Sequence, residues 1–590
     1  MNDKNDMARV DTEREARIDT EREARVDTEP GSVSTRADAT QRVRILSKTV
    51  SDRIAAGEVV ERPASIVKEL IENAIDAGAT AISVEIREGG LQLIRVGDNG
   101  SGMTRDDAEL SVERFATSKI SSERDLQTAR TLGFRGEALP SIAAVSQFEM
   151  LTRDKDNVQG TRIRIVDEKK EIDVAGAPIG TLITARELFY NVPARKKFLK
   201  APLRETELVT KIVSQYALAY PRIGFRLAVD GKDSLLAPPS SALERIGAVW
   251  SREAASEMIA VEYDSFDLKV RGFISKPSFA RASREWQNFF VNGRPIRSGL
   301  LAVMLERPYA GRLPASELAK IRHPLAVIHI ELDPQYVDVN VHPRKAEVRF
   351  FQERSIYGAT QQAVEHALRD FPFTQNAEGM EWPFANVPES SFGALRETQA
   401  EYRAGTWRAL GQIHNTYLLA QTPDGFVIVD QHAAQEQIYF ERLTGGGQET
   451  AISTLQSPVI SLMPNEALLV NAHLDEYRAL GIDVEPFGAN TFRVNALPNF
   501  VKLSAREALD ILVMEHDKYR ALEGEALRDK LASKLACVSA LKAGDALTLE
   551  QQQNLLNELL EIYSPATCPH GRPTFVYVTL EELERRFLRS

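Results

Sequence analysis

The chain has 590 residues and a formal net charge of −11, from 73 Lys and Arg against 84 Asp and Glu. This length predicts about three to four domains by the usual domain size. Because the net charge is negative, the protein cannot be one that coats nucleic acid with a uniformly basic surface. Any DNA contact must be a local basic patch.

Only two cysteines are present, Cys537 and Cys568. Two thiols cannot build a disulfide framework, so this cysteine content favours a reducing compartment. Both thiols are therefore candidates for a chemical role. No apolar run approaches the roughly 20 residues that span a bilayer, and the acidic N terminus has no signal-peptide core. We therefore expect a cytoplasmic protein without membrane contact.

The patterning along the chain predicts two globular blocks joined by a tether. Residues 1–42 contain an eight-residue repeat, ARVDTERE and its variants, with too little apolar surface to offset the entropy of ordering. We predict a disordered tail there. Residues 375–405 are polar, contain proline and lack periodicity, which predicts a linker.

A helix is predicted over Ile66–Asp76, because its apolar residues recur at helical spacing. Glu69, Asn73 and Asp76 share another face of this helix. A carboxylate and an amide oxygen at i and i+4 can divide two tasks: Glu69 deprotonates a water, and Asn73 ligates Mg²⁺. A solvated polar face is the alternative that this segment leaves open.

Two glycine-rich loops follow in the chain. The strand-like run Leu91–Val96 leads into GDNGSGM at residues 97–103, where a hairpin turn is the alternative. Gly102 favours close approach of a planar ring, and a buried Asp98 could accept a hydrogen bond from an adenine amino group. The loop GFRGEAL, residues 133–139, could aim backbone N–H groups at phosphates. A P-loop is excluded, since its glycine-lysine signature does not occur.

These segments carry a family resemblance. In chain order the sequence contains IAAGEV, VERPASIVKELIENAIDAGAT, DNGSGM, FATSK, GFRGEAL, and GT followed by LFYNVPARKKFL. This series resembles the ATPase region of the MutL DNA mismatch repair proteins, which belong to the GHKL class with Hsp90 and type II topoisomerases. The segments PARKKFL and IAAGEVVERPA are particular to MutL.

The resemblance implies a GHKL (Bergerat) α/β sandwich that binds ATP and Mg²⁺. It implies that Glu69 is the general base and Asn73 the Mg²⁺ ligand. Asp98 and Gly102 would form the adenine site, with Thr181 behind the base. The other ATP-binding positions that it implies, most of them in a lid over the phosphates, are Gly100, Thr117, Ser118, Lys119, Gly133, Phe134, Arg135, Gly136, Glu137, Ala138 and Leu139.

The alternating valines Val337, Val339 and Val341 predict a strand that Pro343 ends. This segment resembles the family's transducer domain, an S5-like β-α-β fold. The resemblance implies that Lys345 reaches the γ-phosphate as a point charge, which would couple the nucleotide to domain arrangement. A solvated lysine beyond a strand end is the alternative.

The fold class that we predict is therefore α+β and multidomain. The tail at 1–42 is followed by a GHKL ATPase domain at 43–250 and a transducer domain at 251–374. The linker at 375–405 leads to an α/β C-terminal dimerisation and endonuclease domain at 406–590.

The second block contains candidate metal ligands directly after the strand-like run Phe426–Val429. If a helix begins near His432, His432 and Glu436 lie at i and i+4 on one face, with Asp430 just before them. Imidazole and carboxylate groups in this arrangement are metal-ligand types. An ordinary surface pair is the alternative for this cluster alone.

A complementary cluster lies far downstream. Cys568 and His570, in the segment CPHGRP, are separated by one residue, which lets both side chains point to one metal. Because this cluster holds one of only two cysteines, the two clusters together favour a shared metal site over two unrelated surface pairs.

The resemblance extends to this block. DQHAAQEQIYFE resembles the nuclease signature of MutL proteins that lack methyl-directed strand choice, CPHGRP matches a second element, and ACVSALKA resembles a third, which contributes Cys537. It implies Asp430 and Glu436 as catalytic residues. The metal ligands that it implies are Asp430, His432, Glu436, Cys537, Cys568 and His570. Zn²⁺ would occupy part of the site, while Mn²⁺ or Mg²⁺ drives cleavage.

The resemblance also implies partners and a working cycle. A homodimer would close around double-stranded DNA when ATP orders the lid, and hydrolysis would reset it. MutS would recruit it to a mismatch, and the segment LQSPVI at 455–460 falls where the family often binds the replication sliding clamp, although the closing proline is absent. An ordinary β-strand with one proline is the alternative for this segment. Such a protein would be bacterial, cytoplasmic and nucleoid-associated.

Basic clusters could bind the DNA backbone without reading sequence, one at residues 195–200 and one that includes Arg281, Arg284, Arg294 and Arg297. Solvated surface is the alternative for both.

Two other functions remain open. The first is a non-cutting matchmaker whose second block only dimerises and binds partners. The second is a GHKL chaperone or a topoisomerase relative. The CPHGRP segment and the absence of a strand-passage tyrosine domain at this length count against the second.

Overall fold

The computed structural model describes most of the two predicted blocks, which both lie within Thr49–Ser590. The described residues are 59–119, 131–133, 136–265, 268–310, 312, 322–338, 349–350, 353–371, 407–445, 451–453, 457–519, 522–542, 544–562 and 566–587. The predictions for the tail at 1–42, the linker at 375–405, Phe134, Arg135 and Lys345 lie outside the described residues, as do Leu455 and Gln456 of the sliding-clamp segment.

An eight-stranded mixed sheet forms the first part of the fold. Its strands are β1 (Ala81–Arg87), β2 (Leu93–Asp98), β3 (Gln147–Arg153), β4 (Gly160–Val166), β5 (Lys169–Ala175), β6 (Gly180–Arg186), β7 (Gly224–Val229) and β8 (Lys232–Ala237). Their order is β5-β4-β3-β6-β2-β1-β7-β8, with β1 and β7 parallel and the other neighbours antiparallel.

Helices cover one face of this sheet. They are α1 (Pro63–Asp76), α2 (Arg105–Ser111), α3 (Ala138–Ala144), α4 (Pro193–Lys196), α5 (Pro202–Ala219), α6 (Ala242–Val249) and α7 (Arg252–Ser256). Along β1, Ile82, Val84 and Ile86 are buried towards the helices, while alternate residues face outwards. This two-layer arrangement is the α/β sandwich that the family resemblance implies.

Helix α1 forms where its sequence predicts. Pro63 occupies the first turn, where its missing N–H costs no hydrogen bond, and Ile66, Leu70 and Ala74 form the buried stripe. The helix ends before Gly78, which adopts a φ of 71° that glycine accepts without strain. The polar face opposite the stripe is therefore presented in a fixed register.

A second sheet follows, with strands β9 (Met258–Asp264), β10 (Leu268–Ser275), β12 (Gln287–Val291), β13 (Arg294–Ile296) and β15 (Ala326–Leu332) in the order β13-β12-β15-β10-β9. Smaller pairs are β11 (Ala280–Arg281) with β14 (His323–Pro324), and β16 (Val337–Asp338) with β17 (Arg349–Phe350). Helices α8 (Gly299–Glu306) and α9 (Glu353–Ala367) accompany them. Because β12 and β15 pair in parallel and α8 lies between them in the chain, this part contains the predicted β-α-β connection.

The C-terminal part contains two antiparallel sheets. Strands β18 (Arg408–Ile413), β19 (Tyr417–Thr422), β20 (Gly425–Asp430) and β25 (Phe575–Thr579) form one, and β21 (Ala451–Ser453), β22 (Val459–Ser461), β23 (Asp483–Pro486) and β24 (Thr491–Pro498) form the other. The helices are α10 (Gln431–Thr444), α11 (Pro464–Ala472), α12 (Leu474–Ala479), α13 (Ala505–Lys518), α14 (Gly524–Ser539), α15 (Leu549–Glu561) and α16 (Leu580–Arg586). Within the described ranges, no helix is both long enough and apolar enough to cross a bilayer.

Candidate functional site

The polar face of α1 meets a lysine from a distant loop. Lys119 Nζ donates to Asn73 Oδ1 at 2.9 Å and to Asp76 Oδ2 at 2.6 Å. An amide oxygen and a carboxylate oxygen thus already converge on a positive charge. Such oxygens are the donors that Mg²⁺ takes in proteins, so Asn73 fits the predicted ligand role.

Asp76 also fastens the loop that leads to the predicted lid. Its Oδ1 accepts from the backbone N–H of Leu132 at 2.9 Å, and its Oδ2 accepts from that of Gly133 at 3.0 Å. A Cβ at Gly133 would lie 3.3 Å from Asn73 Oδ1, so a side chain there would crowd the ligand oxygen. The sequence placed Asp76 on the polar face but gave it no role.

The predicted adenine-site residues lie together at the ends of two neighbouring strands. Asp98 pairs with Thr181 in the β2–β6 register, and Asp98 Oδ1 accepts from the Gly100 N–H at 2.8 Å. Burial raises the pKa of Asp98, while backbone hydrogen bonds from Gly100 and Thr181 oppose the rise. Gly102 has a φ of 65°, and a Cβ there would lie 2.0 Å from Arg153 O, so only glycine fits.

The two predicted lid loops are joined by backbone contacts. Phe115 N–H donates to Gly136 O at 3.0 Å, and a Cβ at Gly136 would lie 2.6 Å from Ala116 O. Thr117 Oγ1 accepts from the Lys119 N–H at 3.2 Å. Of the remaining predicted positions, Ser118 is exposed, while Glu137, Ala138 and Leu139 are half-buried where α3 begins.

A buried network behind Glu69 was missed by the sequence reasoning. Glu72 accepts a hydrogen bond from Tyr216 Oη at 2.6 Å and pairs with Lys68 Nζ at 3.0 Å. Lys68 Nζ in turn lies 3.6 Å from Glu69 Oε1. Burial and then the Glu72 charge raise the pKa of Tyr216 well above its ordinary value, so the tyrosine stays a donor. The only sequence signal was an acidic residue on the α1 side that faces α5.

In the C-terminal part, β20 delivers the predicted helix to the predicted position. Asp430 is the N-cap of α10, and its Oδ1 accepts from the N–H groups of His432 at 3.0 Å and Ala433 at 3.1 Å. The cap fixes the start of α10, so His432 and Glu436 lie on one face one turn apart.

Five of the six predicted metal ligands converge in two overlapping groups. The ligand atoms of His432, Glu436 and Cys537 lie within 4.8 Å of one another, and so do those of Glu436, Cys568 and His570. Glu436 is common to both groups. Asp430, the sixth predicted ligand, belongs to neither group, and one of its carboxylate oxygens caps the helix.

Glu436 is buried among groups that suit a cation. It is 2% exposed, and its Oε1 makes no well-aligned hydrogen bond although His570 Nδ1 lies 3.0 Å away. Burial and the Glu436 carboxylate raise the pKa of Cys537 to about 11 and also raise that of Cys568. A buried carboxylate beside two thiols is stabilised by a cation, and nitrogen, oxygen and sulfur donors together suit Zn²⁺.

Hydrogen bonds outside the two groups orient the ligands. His432 Nδ1 lies 2.6 Å from Leu541 O, so this nitrogen is the donor and Nε2 is left for a metal. Gln435 Oε1 accepts from the Leu541 N–H at 2.6 Å, and the buried Gln431 donates to Lys542 O at 3.0 Å. The two glutamines stand beside the ligands in the sequence, which was the only available signal for their positioning role.

The second basic cluster was interpreted wrongly in part. Arg281 and Arg294 are buried, and Arg294 donates to Thr131 O. Arg284 forms an ion pair with Glu306. Arg281 and Arg294 are therefore neither solvated surface nor available to a DNA backbone.

Family models match three stretches of the chain. Residues 61–185 match "Histidine kinase-, DNA gyrase B-, and HSP90-like ATPase", and residues 246–369 match "DNA mismatch repair protein, C-terminal domain". Residues 410–547 match "MutL C terminal dimerisation domain". The first match supports ATP hydrolysis, with Mg²⁺ implied, and the last supports a homodimer.

Whole-length relatives agree with these matches. The DNA mismatch repair protein MutL of Desulforudis audaxviator is 39% identical and covers 93% of this chain and 100% of its own. That of Symbiobacterium thermophilum is 38% identical with the same coverage. A solved Aquifex aeolicus MutL ATPase domain complexed with ADP is 27% identical, covering 51% of this chain and 98% of its own with a TM-score of 0.37. On the whole-length relatives, the chain belongs to the MutL family of DNA mismatch repair proteins.

Proposed function

We propose that this MutL protein is an ATP-gated dimeric clamp whose C-terminal domain also nicks DNA in a metal-dependent reaction. The observation that carries the second activity is that Glu436, one turn after His432 on α10, lies in one group with Cys568 and His570. The two segments are more than 100 residues apart in the chain. A domain that only dimerised would have no need to bury a carboxylate between two thiols and two imidazoles.

In the ATPase half, Glu69 would take a proton from the attacking water. Asn73 would offer its amide oxygen to Mg²⁺, and Asp98 would accept a hydrogen bond from the adenine amino group. Lys119 is already placed between Asn73 and Asp76, close to where the phosphates would lie. Lys345 would reach the γ-phosphate, as the family resemblance implies.

In the C-terminal half, the two overlapping groups would hold the cation through His432, Glu436, Cys537, Cys568 and His570. A cation bound there would polarise the phosphodiester and would supply hydroxide near neutral pH. Asp430, directly before α10, would contribute its charge from the edge of the site. The mixed donor set supports Zn²⁺ at the thiols and Mn²⁺ or Mg²⁺ at the carboxylates.

A plasmid assay tests the nicking activity. In Mn²⁺, the wild-type protein should convert supercoiled plasmid to open circles, while Asp430→Asn and Glu436→Gln should each abolish the conversion. Asp475→Asn is the matched control, since Asp475 is exposed in the same domain and away from the site. Nicking that survives both site variants would leave only the matchmaker, which dimerises and binds partners without cutting.

The homodimer contact is proposed on the open face of the sheet of β18, β19, β20 and β25. Helices α10 and α15 pack against this part of the fold, and their side chains share one core with Val427 and Val429. On the other face, the cross-strand row Leu419, Ile428 and Val576 is apolar and partly exposed. An apolar sheet face of this kind marks an interaction site, and the dimerisation match supports a second copy as its partner.

DNA and MutS are proposed partners on the strength of family membership. In the segment Arg195–Lys197, at the end of α4, Lys196 and Lys197 are exposed, and in the second basic cluster Arg284 and Arg297 are exposed. These exposed charges could bind a DNA backbone without reading sequence. We also propose domain boundaries at 43–250 for the ATPase domain, 251–374 for the transducer domain and 406–590 for the C-terminal domain.

A further inference from the structure

The two halves of the chain meet along a polar contact that none of the proposed activities uses. Helix α11 of the C-terminal half packs along α5 of the first half, and Met463, just before α11, joins the hydrophobic core of the first half. We call this contact the seam. Its residues are Lys211, Arg281, Glu285, Trp286 and Arg322 from the first half, and Asn465, Glu466, Arg506, Glu507 and Asp510 from the second.

The centre of the seam is a buried indole against a buried carboxylate. Trp286 Nε1 donates to Glu466 Oε1 at 2.9 Å, and the two residues are 2% and 6% exposed. Glu466 Oε2 accepts from the Met463 N–H at 3.0 Å, so both carboxylate oxygens are satisfied. The guanidinium of Arg506 lies 6.0 Å from the Trp286 ring centroid, within the range of a cation–π contact.

Further polar contacts cross the seam on both sides of this centre. Arg322 forms an ion pair with Glu507, and Asn465 Nδ2 donates to Glu285 Oε2 at 3.3 Å. Glu285 also forms an ion pair with Lys211 of its own half. Interfaces between domains of one chain that are this polar resemble transient complexes, which open and close.

The charges around Glu466 support a contact that can open. Burial raises the pKa of Glu466 to about 7, and the carboxylates of Asp510 and Glu285 add to the rise while Arg506 opposes it. Burial and the nearby Arg506 lower the pKa of Arg281 to about 10. Several ionisable groups are thus held together at an electrostatic cost that opening would relieve.

The seam also connects to the ATP site through α5. Tyr216, on α5, hydrogen-bonds Glu72 on α1, and Lys68 lies between Glu72 and Glu69. We propose that the seam is a docking site at which the C-terminal domain closes onto the ATPase half of its own chain, and that this docking steadies the helix that carries Glu69. The second part rests on the proposed role of Glu69 as the general base.

A zero-length cross-link tests the docking in the full-length dimer. Arg322→Lys places an amine beside the Glu507 carboxylate, and a carbodiimide should join the two as an amide that peptide mass spectrometry identifies. Adding Glu507→Gln should remove the product. A heterodimer that combines an Arg322→Lys, Glu507→Gln chain with a wild-type chain can form this link only between chains. A link in that heterodimer would overturn docking within one chain.

Two tryptophan variants test what the docking does. Trp286→Phe, in the Arg322→Lys background, removes the indole N–H and should lower the cross-link yield about tenfold. Without the cross-linker it should lower kcat for ATP about fivefold at unchanged KM, because the helix is loosened while the nucleotide contacts remain. Trp250→Phe is the matched control, since the Trp250 ring lies 5.3 Å from the Trp286 ring in the same core.

Equal cross-link yields in the two tryptophan variants would overturn the docking site. Equal kcat values with a reduced yield in Trp286→Phe would keep the docking and overturn its link to the ATP site. Both results are independent of whether Glu69 is the base, because Glu69→Ala is measured separately and is not expected to change the cross-link.

Discussion

The ATP site and the C-terminal cluster hold their carboxylates in opposite ways. In the first, Lys119 already stands between Asn73 and Asp76, so the protein supplies its own cation where a metal–nucleotide complex would bind. In the second, the buried carboxylate of Glu436 faces two thiols and two imidazoles. The contrast fits our two proposals, a nucleotide that comes and goes in the first half and a cation that stays bound in the second.

The largest effect that we expect is a loss of ATP turnover, and it tests the ATP-site side of the comparison. Glu69→Ala should lower kcat for ATP about a thousandfold, because the attacking water loses its general base, while ATP binding persists. Phosphate release and calorimetric nucleotide binding measure the two quantities. Glu109→Ala, a change to an acidic residue on α2 that pairs with Arg105, should leave both near wild type. Turnover that survives Glu69→Ala would reject Glu69 as the base.

The next effect concerns the open sheet face of the C-terminal half. Val576 is 57% exposed, and Val576→Asp would bury a charge in the proposed dimer contact and weaken dimerisation about a hundredfold. Analytical ultracentrifugation over a dilution series measures the dissociation constant. Val158→Asp is the control, since Val158 is 94% exposed in the ATPase half. If both variants dimerise alike, the dimer uses another surface.

The proposed metal centre is tested by Gln431, which is not itself a predicted ligand. Gln431→Ala removes the hydrogen bonds that hold the start of α10 to the backbone carbonyls of Lys542 and Asp545, and should weaken metal binding about ten- to hundredfold. Competition with a chromogenic zinc chelator measures the affinity. Gln437→Ala alters the same helix but removes only a bond to Glu441. Equal zinc affinities in the two variants would show that Gln431 does not position the site.

The smallest effect is a pH dependence of the seam. With the seam open, Glu466 should return towards its ordinary pKa of 4.5, whereas in the closed state its pKa is about 7. The closed state binds the extra proton, so closure is favoured in acid and weakens as pH rises through 7. Between about pH 6 and about pH 8 the closing equilibrium should fall about tenfold.

Small-angle X-ray scattering measures this change as a larger radius of gyration at the higher pH. Glu466→Gln keeps the shape of the side chain and removes its charge, so its radius should depend less on pH. An equally steep dependence in the variant would assign the change to other groups, such as Asp510, whose pKa is also raised by burial.

The sequence predicted the elements whose signals are local. The α1 helix followed from its apolar spacing, and α10 from the strand that ends at Asp430. The family motifs predicted the α/β sandwich of the ATPase half. These features depend on short stretches of chain, in which periodicity and turn chemistry determine the structure.

The features that the sequence missed depend on side chains from distant segments. Glu72 was not noticed because its partner Tyr216 is 144 residues away, and Arg294 was read as surface although it is buried against Thr131. The same holds for Trp286 and Glu466, which are 180 residues apart. Tertiary contact, rather than local pattern, decides whether a charged residue is exposed or buried.

The helix cap at Asp430 decides how the nicking experiment should be read. An asparagine at this position keeps the acceptor oxygen for the His432 and Ala433 N–H groups, whereas an alanine would remove it and loosen the first turn by about 1 kcal/mol. Loss of cutting in Asp430→Asn would therefore report on the missing negative charge alone. The same loss in Asp430→Ala would combine that charge with a displaced imidazole.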